Sequence, residues 1–192
     1  MLTDGAARWL LVVHAVLGAA AVGAVTHLVL WLRRYVRGEA GRRHAVRRFA
    51  WYAVILHALA FTAGAVVYPT YRIDVRAAYL DNASRLATDH AALGDALAAI
   101  ASKEHAVAYE QLPVETYQRR AHAATKWFDM KEHWTALGLF ASLALALTLA
   151  FWDPKRDGPA LAPVAVGLSL VVAGTVWLGA IVGVLTSAWR GI

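Results

Sequence analysis

Eight histidines and not one cysteine define the chemistry open to this 192-residue chain. Without thiols there is no disulfide, zinc–thiolate site, cysteine-ligated iron–sulfur cluster, thioether-bound haem or lipoprotein anchor. Imidazole is left as the natural ligand for iron. Four histidines, His14, His27, His57 and His133, fall inside or at the edge of long apolar stretches. An ionisable side chain is costly there and marks function by default.

Depth sorts these four into two layers. Counting about 1.5 Å per residue from Leu32, Phe49 and Trp152, His27 lies about 7 Å in and His57 about 12 Å in. His14 and His133 lie about 27 and about 28 Å in. Two imidazoles from different helices at matched depth are what a bis-histidine haem b requires. The expected pairs are His27 with His57 for an inner haem, and His14 with His133 for an outer one. Gly18, Gly23 and Gly64 share helix faces with the histidines and leave room for a flat macrocycle. Arg33, Arg34, Arg47 and Arg48 at the inner layer, and Arg72, Arg76 and Lys131 at the outer, suit propionates, although flanking charges are ordinary in membrane proteins. His14 and His27 are rotated by about 140° on an ideal helix, so they must face two different neighbours. The alternative is that membrane histidines simply hydrogen-bond to adjacent helices or water. In plan, four spans with histidines at two heights, the chain resembles the membrane-anchoring cytochrome b subunits of respiratory enzymes. The resemblance is architectural and carries over no residue roles. It implies haem b, one or two per chain, and electron exchange with either a quinone or a second membrane subunit.

Four stretches must position these residues. Of the sequence, 59% is hydrophobic and 17% charged, against about a quarter charged in an ordinary soluble domain. Spans are expected at Trp9 to Leu32, Phe49 to Pro69, Trp134 to Trp152 and Ala160 to Trp189, each long enough to supply the 20 or so residues that cross a bilayer. Tryptophans and tyrosines at their ends form an interfacial belt. The first stretch is too long for a signal h-region, and its basic cluster follows it, so it is expected to be retained. Seven arginines between residues 33 and 48, with Lys155 and Arg156 between spans three and four, place those loops in the cytoplasm. Both termini and residues 70–132 then lie in the periplasm of a bacterial inner membrane. The outer segment holds eight basic and nine acidic residues, so the +6 charge reflects topology, and nucleic acid is not an expected partner.

Within 70–132, Tyr79, Ala83, Leu86, His90, Leu93, Leu97 and Ile100 follow at alternating spacings of four and three, a coiled-coil-like stripe. Pro113 suits the first position of a second helix running unbroken into span three, facing the first arm through Tyr117, Ala121, Ala124 and Phe128. A second constellation, Asp129, His133 and His122, with Lys126 and Glu132 and with His90, Glu104 or His105 nearby, offers a weaker non-haem metal site or a salt-bridged ridge. Pro69 is expected to stop span two, with Tyr68, Tyr71 and Arg72 as interface anchors or quinone contacts.

The sequence therefore predicts an all-α membrane protein, a four-transmembrane-helix bundle with a periplasmic antiparallel helical hairpin between helices 2 and 3. Its parts are residues 1–69, 70–132 and 133–192. The expected function is a b-type electron-transfer subunit. The alternatives are a cofactor-free structural or assembly subunit, or a periplasm-facing metal-binding protein. Expected partners are the lipid bilayer and other membrane or periplasmic subunits, met by the hairpin and by the glycine face of span four (Gly167, Gly174, Gly179, Gly183).

Overall fold

The computed structural model describes residues 3–104 and 110–187; Trp189 and His105 fall outside them. Helix α1 covers Asp4–Val36, α2 Arg43–Thr70, α3 Ala83–Glu104, α4 Val114–Phe151, the short α5 Pro154–Asp157, and α6 Ala162–Ser187. Four helices are long and apolar enough to cross a membrane, namely α1, α2 with its extension, α4 and α6. They pack in cyclic order, α1 on α2, α2 on α4, α4 on α6 and α6 back on α1.

Pro69 does not end α2. It lacks an N–H and breaks the regular ladder, but the chain rewinds and continues as a π-helix over Tyr71–Leu80. Its last turn closes with the Asp81 N–H donating to the Arg76 carbonyl, five residues back, at 2.8 Å. A wider helix of this kind is rare and accommodates a defect in the α-helical ladder. It also carries Tyr79 and Leu80 inward.

The core of the four-helix part includes Val25, Leu28 and Leu32 of α1, Val46, Ala50 and Ala53 of α2, Leu145 and Leu149 of α4, and Ala165 and Val172 of α6. A second, separate cluster of Tyr79, Leu80, Leu86 and Ala121 joins the π-helical segment, α3 and α4. The expected stripe on α3 is only partly used. Leu86 is 2% exposed, whereas Leu93 and Ile100 are 45% and 44% exposed. Beyond Leu86, contact with the start of α4 is mostly polar: Gln111 Nε2 donates to the His90 carbonyl at 2.5 Å, and His90 Nε2 meets the Leu112 carbonyl at 2.6 Å.

The arginine-bearing end of the bundle is tied by the residues that mark it in sequence. Arg47 Nε donates to the Leu149 carbonyl at 2.7 Å and Arg156 to the Phe151 carbonyl at 2.8 Å. Both satisfy carbonyls left open in the last turn of α4, where cations are also favoured. Arg43 pairs with Asp153 at 3.0 Å. Asp153 also caps α5, accepting the Lys155 N–H at 3.0 Å. The Lys155 N–H, and then the Arg43 guanidinium, hold its carboxyl below the usual carboxylate range. A depressed folded-state pKa contributes stability that is present above the unfolded value of about 3.9 and is lost as pH falls through the folded one. Asp153→Asn keeps the capping oxygen and removes only the charge. Between about pH 5 and about pH 3, the wild-type unfolding temperature should therefore fall more steeply than that of the variant. Parallel curves would show that the ion pair contributes nothing.

Candidate functional site

His57 occupies the interior. It sits on α2 with 2% of its surface exposed, against Gly138 of α4 and Thr175 of α6. Neither ring nitrogen makes a hydrogen bond of good geometry, although the Thr135 carbonyl of α4 is near enough to act on the ring. This is unusual, because buried polar atoms are nearly always paired and an unpaired one costs about 1–3 kcal/mol. The fit is close. A Cβ on Gly138 would overlap the Thr175 hydroxyl and lie 3.0 Å from His57 Cε1.

His14 is half-buried and bridges two helices. Its Nδ1 lies 2.8 Å from the Ala60 carbonyl of α2, and its ring rests on Gly64, where a Cβ would stand 3.0 Å from Cε1. Gly64 thus makes room for the imidazole of His14 rather than for a ligand of His57. Gly18 and Gly23 have no such neighbour and face open space.

His27 and His133 lie on the surface of the helices. His27 Nδ1 is 2.8 Å from the Gly23 carbonyl one turn back, and His133 Nδ1 is 2.8 Å from the Asp129 carbonyl. The His27 ring contacts Trp31 and Phe49 at centroid distances of 5.7 and 5.9 Å. His27 is therefore outside and His57 inside; their imidazoles occupy different faces of the bundle. His14 faces α2, while His133 is exposed.

A carbonyl can only accept, so Nδ1 of His14, His27 and His133 carries a proton, and in the neutral ring Nε2 keeps its lone pair. A carbonyl held on one ring nitrogen with the other left basic is the form in which histidine binds metals. His90, by contrast, spends Nε2 on the Leu112 carbonyl.

The second constellation is organised by Arg76, which the sequence places only among propionate partners. Its Nη1 donates to Asp129 at 2.8 Å and its Nε to Asp81 at 3.1 Å, so one guanidinium ties the π-helical segment to α4. His122 Nδ1 lies 3.7 Å from the other Asp81 oxygen. Asp129, His133 and His122 are not gathered, and among the described residues no group of three His, Asp or Glu side chains is placed to hold a metal ion. Tyr71 and Tyr68 stack on Phe128 of α4 at 3.9 and 6.4 Å. Arg72 is exposed.

Gly138 and Thr175, which meet beside His57, were missed from sequence. Gly138 had a signal: it is the only glycine in α4. In span four, Gly179 and Gly183 are turned towards Thr135 and Lys131 of α4, whereas Gly167 and Gly174 meet nothing. Compared with family models, curated proteins and solved structures, the chain finds no significant match.

Proposed function

We propose that this multi-pass membrane protein binds haem b within the helix bundle and acts as an electron-transfer subunit of a redox complex. The observation that carries this reading is His57, an interior imidazole whose ring nitrogens make no well-formed hydrogen bond. An axial bond to iron would satisfy one of them and offset the cost of burying the ring. The tautomers of His14, His27 and His133, each with Nε2 free, supply candidates for the remaining ligands. In this reading the arginine end is cytoplasmic in a bacterial inner membrane. Residues 70–132 project into the periplasm as an antiparallel hairpin that meets a protein partner. The pairing of Ala83 with Gln118 and of His90 with Leu112 across its arms supports that arrangement.

One observation favours the cofactor-free reading, a structural or assembly subunit. Gly138 and Thr175 close on His57 so tightly that a single added methyl group would overlap them. A haem plane at His57 would have to part α2 from α4 and α6.

The absorption spectrum of the purified, dithionite-reduced protein, expressed with haem supplied, decides between them. The expected result is a b-type α-band that disappears in His57→Ala. Wild type without the band would leave the cofactor-free reading standing. A band unchanged in His57→Ala would move the ligand assignment to the other three histidines, which the same series of alanine variants sorts.

A further inference from the structure

At the end of the bundle opposite the arginine loop, Lys131 has no counter-charge within ion-pair distance among the described residues. Lys131 lies on α4 one turn before Thr135, and its ammonium reaches across to α6. There a Cβ on Gly183 would stand only 3.3 Å from Nζ. The same ammonium lies 5.2 Å over the Phe128 ring. Lys131 is thus turned towards α6.

Among the described residues, no carboxylate comes within ion-pair distance of it. The nearby acids are committed elsewhere, with Asp129 and Asp81 both held by Arg76. Glu132, next in sequence, acts on Lys131 only through space. A partly desolvated ammonium without a counter-charge is unfavourable, and an anion beside it removes that cost. Glycine at position 183 leaves room for the ammonium itself.

We propose that Lys131, beside Gly183 and Phe128, is an anion-binding site at the distal end of the bundle that takes a phosphate group. The phosphate comes either from an anionic lipid headgroup or from the free ion. The site does not depend on the haem reading, and its test is read by a different signal.

The eight tryptophans give an intrinsic fluorescence signal for thermal unfolding of the full chain in mild detergent. Phosphatidylglycerol should raise the unfolding temperature relative to phosphatidylcholine. Lys131→Met should abolish that difference, with apparent lipid affinity weakened about tenfold, the size of one lost charge-assisted contact. Lys131→Arg should keep it. Gly183→Leu, which fills the space the ammonium enters, is the second variant and should also lose the response. A matching shift with inorganic phosphate at constant ionic strength assigns the site to the free ion, and a shift with phosphatidylglycerol alone assigns it to lipid. If neither ligand shifts the wild type, the proposal is overturned. It also fails if Lys131→Met and Gly183→Leu keep the full shift, since the arginine end would then account for it.

Discussion

Gly138→Leu is expected to abolish accumulation of the folded bundle, and Gly138→Ala to lower its unfolding temperature. Between membrane helices there is no hydrophobic driving force, because lipid tails are as apolar as leucine; close packing holds them together. At Gly138 the packing has no slack. A Cβ there would lie 2.8 Å from Thr175 Cβ and 3.0 Å from His57 Cε1, and those neighbours are 4% and 2% exposed. Thr175 cannot swing aside freely, since its hydroxyl donates to the Val172 carbonyl at 2.9 Å. Overpacking of this kind costs about 1–3 kcal/mol for a small group, partly offset in Ala by its better helix propensity of about 1 kcal/mol. Leu adds three more carbons with nowhere to go. The decisive comparison is the double variant Gly138→Ala with Thr175→Ala, which removes the overlapping hydroxyl while keeping the Thr175 Cβ 2.8 Å away. It should recover part of what Gly138→Ala loses. If Gly138→Ala is neutral, or if removing Thr175 gives no recovery, the contact among α2, α4 and α6 is not the one described.

The four apolar helices were legible because the requirement that produces them is one-dimensional: enough consecutive apolar residues to cross a bilayer. The unbroken α4 was legible for a similar reason, since neither glycine nor proline occurs between Val114 and Leu137. Rotational placement was harder. Equal depth put His27 beside His57, but depth along a helix says nothing about which side a residue faces, and the two rings point to different surroundings. Gly64 shares a helix with His57 and so suggests room for a ligand there; its neighbour proved to be His14, on another helix. The reach of Arg76 to both Asp81 and Asp129 depends on the π-helical turn after Pro69. Sequence reads a proline as a stop, because the energy of rewinding lies in tertiary contacts that no local pattern contains.

Leu86→Ala is expected to loosen α3 while leaving the membrane helices intact. Among the described residues, Leu86 is the one large side chain of α3 that is fully buried, in a cluster with Tyr79, Leu80 and Ala121 that is distinct from the bundle core. α3 is not among the helices able to span a membrane, and it packs only on α4 and the π-helical segment to any extent. Water exclusion at this cluster therefore stabilises α3 directly. Truncating a buried leucine to alanine costs about 2–5 kcal/mol. Because α3 has so few other contacts, that cost should show as local opening instead of global unfolding. Amide exchange across α3 should then quicken by roughly 30-fold or more, taking tenfold per 1.4 kcal/mol, with exchange in α1 and α6 unchanged. Leu93→Ala is the control: Leu93 is 45% exposed, and surface changes of this kind usually stay within about 0.5 kcal/mol. Equal effects of the two substitutions would mean that α3 is not held by Leu86. A fall in protection across α1 and α6 would mean that the two cores are a single cooperative unit.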